Sequence, residues 1–206
     1  ILKIQQELFE ANCSAKTGDL PKRSKNTLII CEHTHTYTLG KSGDEKNLLF
    51  RPDAVGASFY KVNRGGDITY HGPGQMVVYP IFDLDTLGIG VADFVAALED
   101  VIIKTIAHYG LTATRLDGAP GIWLDADTNP RKICAVGMKV SRHCTMHGIA
   151  INVNTDLKYF DYIVPCGIPD KGVTSLKKEL GREIDINEVR EIFVSELEKK
   201  LNIVVA

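Results

Sequence analysis

An α+β domain, with a mixed and mostly antiparallel sheet and helices on its faces, is the fold class this sequence predicts. Three observations predict it. Runs rich in β-branched and aromatic residues recur at 27–31, 58–62, 76–82, 131–140 and 147–153. Apolar residues at helical spacing mark three other stretches, at the start, in the middle and at the end of the chain. No internal repeat, low-complexity tract or linker divides the 206 residues, so one domain, 1–206, is expected.

Taken in order, residues 1–16 place Ile1, Ile4, Leu8 and Ala11 on one helical face, with Gln5, Glu7 and Glu10 off it. A polar loop, 18–26, leads into a buried strand at 27–31 that continues through 32–40. Residues 41–57 hold turn formers around Leu48, Leu49 and Phe50. Two strands, 58–62 and 76–82, flank a glycine-rich segment at 64–75, and 83–90 is a connection. Asp93 is the expected N-cap of a helix carrying Phe94, Leu98, Val101, Ile102, Thr105 and Tyr109, with Gly110 at its C-terminal end. Short strands at 111–116 and 121–124 precede a polar turn, 125–130. Strands 131–140 and 147–153 are expected to pair through 141–146. Asp185 and Glu188 form a capping-box start for a last helix bearing Val189, Phe193, Leu197 and Leu201.

Composition narrows the function classes. Hydrophobic residues at 44%, charged residues at 24% and a net charge of −2 describe an ordinary soluble domain. The chain has no extended basic stripe, which argues against nucleic acid, and no apolar run near the ~20 residues that span a bilayer. Its start lacks a signal-peptide profile and an initiator Met, so it is expected to begin partway into a longer protein. The five cysteines, at 13, 31, 134, 144 and 166, are odd in number and contain no Cys-x-x-Cys, which argues against a disulfide framework and for a reducing cytoplasm. Cys31 and Cys134 sit in apolar strands and read as buried fillers. Cys13 lies on the first helix near Lys16.

Several residues carry candidate chemistry. The segment from Arg64 to Gln75 packs four glycines, a proline, an arginine and a histidine between strands. It is either the wall of a binding site or an elaborate hairpin. It lacks the lysine and hydroxyl residue that end a phosphate-binding loop, and no helix pattern follows it. Cys166, between Pro165 and Gly167, occupies a constrained turn. It is either a structural thiol or a nucleophile with backbone N–H groups aimed at an oxyanion. Lys132, beside Ile133, Cys134, Ala135 and Val136, is either a solvated amine or a partly buried ammonium able to lower a thiol pKa. His71 and His147 are acid–base candidates or hydrogen-bonded core histidines. The spacings Cys144-x-x-His147 and His33-x-His35 would suit a metal only if they converged, and no metal site is expected.

Three segments in order resemble the lipoyl(octanoyl) transferase family, LipB. They are Arg64-Gly65-Gly66-x-x-Thr69-Tyr70-His71-Gly72-Pro73-Gly74-Gln75; Lys132-Ile133-x-Ala135-x-Gly137 with Thr145-x-His147-Gly148-x-Ala150-x-Asn152-Val153; and Pro165-Cys166-Gly167. The likeness runs over roughly 27–180 and includes Glu32-His33…Thr38-x-Gly40. The chain departs from the pattern in lacking a proline after His33, in a longer turn between Leu124 and Arg131, and in having no leading strand. The resemblance implies a catalytic domain of the biotin/lipoate protein ligase type that needs no cofactor. It implies transfer of an octanoyl (or lipoyl) group from acyl carrier protein to a lysine of lipoyl domains, those of the 2-oxoacid dehydrogenases and the glycine cleavage H protein. The family's nucleophile falls on Cys166 and its partner lysine on Lys132. The acyl pocket falls on Arg64, Gly65, Gly66, Asp67, Ile68, Thr69, Tyr70 and His71, on Ala135, Val136 and Gly137, and on Gly148, Ile149 and Ala150.

Only a thiolate attacks a thioester, so a lysine ammonium beside the cysteine would both stabilise the thiolate and protonate the departing carrier thiol. Turn amides at Cys166 and Gly167 are the expected oxyanion hole. On this reading Gly148→Val should shift preference toward shorter donors. Lys22, Arg23 and Lys25, or Lys139 with Arg142, offer basic patches for an acidic carrier. The rival readings are an ATP-dependent lipoate or biotin ligase, which needs no cysteine, and a silent acyl- or lipoyl-binding module.

Overall fold

Residues 1–17, 25–165 and 171–205 are described by the structure, a computed structural model. In chain order the elements are α1 (Leu2–Ala15), β1 (Thr27–Cys31), β2 (Thr36–Leu39), β3 (Ser58–Lys61), β4 (Ile68–His71), β5 (Gln75–Ile81), α2 (Leu84–Leu87) and α3 (Val91–Ala107). They continue with β6 (Ala113–Arg115), β7 (Ile122–Leu124), β8 (Arg131–Ser141), β9 (Cys144–Asn152), β10 (Gly172–Val173), α4 (Leu176–Leu180) and α5 (Ile186–Leu201). Pairing divides the strands between two sheets. The main one runs β1-β5-β9-β8-β7-β6, antiparallel throughout, with β10 parallel to the start of β8. The small one runs β3-β2-β4, with β2 parallel to β3 and antiparallel to β4.

Strand alternation sorts the core into layers. On one face of the main sheet Met76, Val78, Ile149 and Ile151 pack against Phe94, Leu98, Val101 and Ile102 of α3 and Val189, Phe193 and Leu197 of α5. Truncating any of these to Ala should cost about 2–5 kcal/mol. On the other face Val77, Tyr79, Ile81 and Ala150 meet Phe9 and Cys13 of α1. A third cluster, with Tyr37, Ile68, Tyr70, Phe160 and Ile163, backs the small sheet.

Some elements depart from the sequence reading. Helix α1 buries Gln5, Phe9, Asn12 and Cys13, while of the expected stripe Ile1 and Ile4 are about half exposed and Leu8 only edges the core. Its buried polar residues are occupied: Asn12 brackets the Lys25 backbone with two hydrogen bonds, and Gln5 accepts from the His147 N–H. The glycine-rich segment is no hairpin, because β3 and β5 belong to different sheets and β4 lies inside it. The strand at 27–31 does not continue through 32–40, since β2 joins the small sheet. The β8–β9 connection shrinks to Arg142 and His143, both at positive φ, as a two-residue hairpin turn requires. Helix α3 is entered from Gly90, with Asp93 in its first turn, where a carboxylate suits the helix dipole. The Asp185 side chain accepts from the Asn187 N–H at the head of α5.

Proline has no N–H to give a ladder and is normally kept out of interior strands. Pro80 nonetheless sits in β5, between β1 and β9. The β5–β9 ladder stops at Val78↔Ile149 and resumes where the Thr145 N–H donates to Phe82 O (2.8 Å), which leaves Pro80 facing His147. The Thr145 hydroxyl donates to Pro80 O (2.7 Å), and His147, at φ 60°, turns its N–H to Gln5 Oε1 (3.1 Å). A positive φ in a histidine mid-strand is unusual, and the missing proline donor accounts for it.

Candidate active site

A cavity of about 640 Å³ lies between the two sheets, within the range of small-ligand pockets. The main sheet contributes Val77, Tyr79, Ala135, Gly137, Gly148 and Ala150 to its wall. The small sheet and its approach contribute Thr36, Thr38, Arg64, Thr69 and His71, and the first turn of α1 closes one side. A second, much smaller chamber of about 10 Å³, bordered by Gln75, Lys132, Asn152, Phe160, Pro165 and Val173, adjoins it. Thr69, Ala135 and Ala150 line both spaces, so the slot runs on to Lys132. From Lys132 to Gly137 strand β8 advances about 17 Å at ~3.4 Å per residue, ample for an eight-carbon chain.

Lys132 is 6% exposed, not solvated. Its Nζ lies 4.7 Å from the centre of the Trp123 ring, a cation–π contact, and its stem runs past Gly121, where an added Cβ would stand 3.3 Å from Cδ and Cε. The Lys132 carbonyl accepts from Thr174 N (2.9 Å), which fixes the backbone at this point against the strand pair β8–β10.

A buried polar chain runs through the site. Arg64, 8% exposed, donates from Nη2 to Thr38 O (2.7 Å) and Thr38 Oγ1 (3.0 Å), and from Nη1 to Gly65 O (2.9 Å). The Thr38 hydroxyl lies 3.5 Å from His71 Nε2, and His71 Nδ1 is 2.8 Å from Gln75 Oε1. Gln75 Nε2 donates to Tyr70 O (3.1 Å) and Asn152 Oδ1 (2.9 Å), and Asn152 Nδ2 donates to Thr174 O (3.0 Å). Because Tyr70 O and Thr174 O can only accept, both amide orientations follow, and His71 must carry its proton on Nδ1. The His71 ring keeps some surface toward the cavity but is otherwise enclosed; that enclosure pushes its pKa down to about 3, with the Gln75 hydrogen bond opposing and nearby positive charge reinforcing. Burial, then the charges of Arg64 and Lys139, push His147 down to about 4, and its Nε2 lies 3.0 Å from Asn63 Oδ1. Both rings are therefore neutral near pH 7.

The residues expected to form an acyl pocket divide into those that border the cavity and those that back it. Arg64, Gly66, Asp67, Thr69, His71, Ala135, Val136, Gly137, Gly148, Ile149 and Ala150 line the cavity, whereas Gly65, Ile68 and Tyr70 do not. Ile68 and Tyr70 point to the opposite face of β4 and are fully buried in the cluster behind it. Gly65 instead donates its N–H to Met138 O (2.9 Å), joining the two walls. Gly148 borders the cavity through its backbone; a Cβ there would stand 2.1 Å from Val78 O, pointing into β5. Cys166 and Gly167 lie outside the described residues, as do Lys22 and Arg23; Pro165, next to Cys166 in the chain, borders the Lys132 chamber.

The other thiols and histidines have separate surroundings. Burial raises the Cys134 pKa, pushes Cys144 up to about 12 and raises Cys31, so these stay protonated. His33 Nε2 lies 2.8 Å from the Tyr79 hydroxyl, and His35 Nδ1 2.6 Å from that of Tyr70. Among the described residues no His, Cys, Asp or Glu cluster is placed to hold a metal. Sequence reasoning did not single out Gln75 and Asn152 as members of this buried polar chain. Their signal was a polar residue ending an otherwise apolar strand, and the two are register partners.

Two sheets enclosing a slot that ends at a buried lysine define a lipoyl-ligase-type catalytic domain, and the chain belongs to the Lipoyl protein ligase A/B catalytic domain family, matched over residues 2–198. It is 52% identical over 197 residues to the Octanoyltransferase of Bacteroides fragilis strain YCH46, covering 94% of this chain and 88% of that one. It is 50% identical over 206 residues to the Octanoyltransferase of Flavobacterium johnsoniae, covering 95% and 88%. Solved structures with the same fold include a bipartite lipoate protein ligase from Thermoplasma acidophilum (TM-score 0.68, 14% identity, 98% of this chain and 81% of that). Lipoate-protein ligase A bound with ATP is similarly close (TM-score 0.67, 15% identity, 97% and 81%).

Proposed function

We propose that residues 1–206 form one octanoyltransferase domain. It takes an octanoyl, or lipoyl, group from acyl carrier protein, holds it as a thioester on Cys166, and passes it to the target lysine of lipoyl domains in 2-oxoacid dehydrogenases and the glycine cleavage H protein. Relatives about half identical over nearly the whole chain and named Octanoyltransferase support this reading. The observation that carries it is the slot running on into the chamber of Lys132 and Pro165. Neither cofactor nor metal is required, and the work is done in the cytoplasm; no described helix is long and apolar enough to cross a membrane.

The chemistry follows from these groups. The Cys166 thiolate attacks the thioester carbonyl, and the tetrahedral adduct expels the carrier thiolate, which takes a proton from the Lys132 ammonium. The acceptor lysine then attacks the acyl-enzyme, and neutral Lys132 removes its proton. The cycle is ping-pong. Thr69, Ala135, Gly137 and Ala150 cover the acyl chain, each buried methylene adding ~0.8 kcal/mol.

Intact-mass measurement after mixing with octanoyl-acyl carrier protein tests the reading. One octanoyl adduct should appear without ATP or magnesium, and none on Cys166→Ala; Lys132→Ala should keep the fold and slow adduct formation. An adduct persisting on Cys166→Ala would sink the nucleophile. A strict need for ATP would point to a ligase, and no adduct at all to a binding module.

A further inference from the structure

Asn152 ends β9 opposite Gln75, is 4% exposed, and borders the small chamber with Lys132 and Pro165. Its amide cannot be flipped: Oδ1 accepts from Gln75 Nε2, itself fixed by donating to Tyr70 O, and Nδ2 donates to Thr174 O. A side-chain amide nitrogen carries two hydrogens. Thr174 O takes one, and no group among the described residues takes the other. A buried donor left over beside a reactive lysine costs free energy unless something uses it. The same chain that fixes this donor begins at His71 and Arg64, on the wall of the acyl slot.

Resting on the octanoyl-transfer reading, we propose that the second Nδ2 hydrogen of Asn152 donates to the oxyanion of the tetrahedral adduct, making Asn152 a catalytic residue. As the Cys166 sulfur bonds to the thioester carbon, the carbonyl π pair moves onto oxygen. That oxygen accepts the Asn152 N–H while the carbon–sulfur bond to the carrier breaks and Lys132 protonates the departing sulfur. The donor is held in place before reaction by Gln75 and Thr174, so no reorganisation accompanies the charge. Neutral His71 keeps the whole relay in one hydrogen-bonded direction.

The test compares two reactions of one thiol. Acylation by octanoyl-acyl carrier protein passes through an oxyanion; alkylation of Cys166 by iodoacetamide does not. Asn152→Ala, and the isosteric Asn152→Asp, which keeps an oxygen for Gln75 to donate to, should slow single-turnover acylation by ~10²–10³. Peptide-mapped alkylation at Cys166 should stay near the parent rate. Acylation at the parent rate in both variants would overturn the role. So would equal slowing of acylation and alkylation, which would make Asn152 a support for the thiol rather than an oxyanion donor. A parent protein that forms no adduct would overturn the octanoyl-transfer reading itself, and this role with it.

Discussion

Gly148→Ala adds one methyl at the junction of the slot and the sheet. The new carbon would stand 2.1 Å from Val78 O and 2.8 Å from Pro80 Cδ. Carbon–oxygen contacts ordinarily settle near 3.3–3.6 Å, so strand β5 must retreat by roughly 1.2 Å. Neither neighbour can swing aside, because one is backbone and the other a ring in the same strand. The retreat threatens the terminal ladder pair Val78↔Ile149. Overpacking of this kind costs about 1–3 kcal/mol, and a lost ladder bond about 1 more. Taking ~3 kcal/mol together, a chain of this size should lose about 6–12 °C in Tm. Differential scanning fluorimetry measures the shift, and octanoyl against hexanoyl donors measure chain-length preference. The expected result is a large loss of Tm with preference unchanged in the molecules that remain folded. A Tm within a degree or two of the parent, with preference moved toward hexanoyl, would mean that the methyl enters the slot, as the sequence alone suggested, and would refute the geometry.

Two acid-side predictions follow from named groups. His71 is held down to about 3 in the folded protein against ~6.5 in the unfolded chain. The unfolded state therefore binds the extra proton first, and stability falls as pH drops below ~6.5, by up to about 1.4 kcal/mol per pH unit. Urea titrations at pH 7 and 4.5 should reveal this loss, and His71→Gln should shrink the difference; an unchanged slope would remove His71 as its source. Glu179 behaves oppositely. Burial would raise its pKa, but donation from Arg131 and Thr174 outweighs burial and the net shift is downward. Its contribution is present above ~4.3 and disappears as pH falls through the lower folded value. Glu179→Gln should cost about 1.5–3 kcal/mol at neutral pH, with the gap from the parent narrowing as pH falls below ~4.3; a gap that acid leaves unchanged would count against the ion pair.

The strands of the main sheet were legible because β-branched runs of five or more residues leave little alternative. The small sheet was not. Its β4 hides within glycines that the eye assigns to a loop, and without β4 the alternation that turns Ile68 and Tyr70 away from the slot is invisible. Helix α1 misled for a related reason. The stripe read from spacing is half exposed at Ile1 and Ile4, while the buried face mixes Phe9 and Cys13 with Gln5 and Asn12, whose partners are distant in sequence. Burial of Lys132 depends on Trp123 across the β7–β8 pair, a neighbour that no local pattern announces. The motif residues converged on one cavity nonetheless. They sit at matched heights on paired strands, Ala135↔Ala150 and Gly137↔Gly148, which is a matter of register and was implicit in their spacing.

The gap that Pro80 opens in the central ladder is closed by a helix. Between Val78 and Phe82, the outward N–H of β9 at His147 finds its acceptor in a glutamine side chain from α1. Hydrogen exchange at that amide should consequently report the docking of α1 and not the opening of the sheet. A perturbation that lifts the helix by a few ångströms, with every strand still paired, would unprotect one amide in the middle of a strand buried along its whole length. That amide belongs to the residue whose ring borders the acyl slot, so the first helix is tied to the slot at this strand as well as through its first turn.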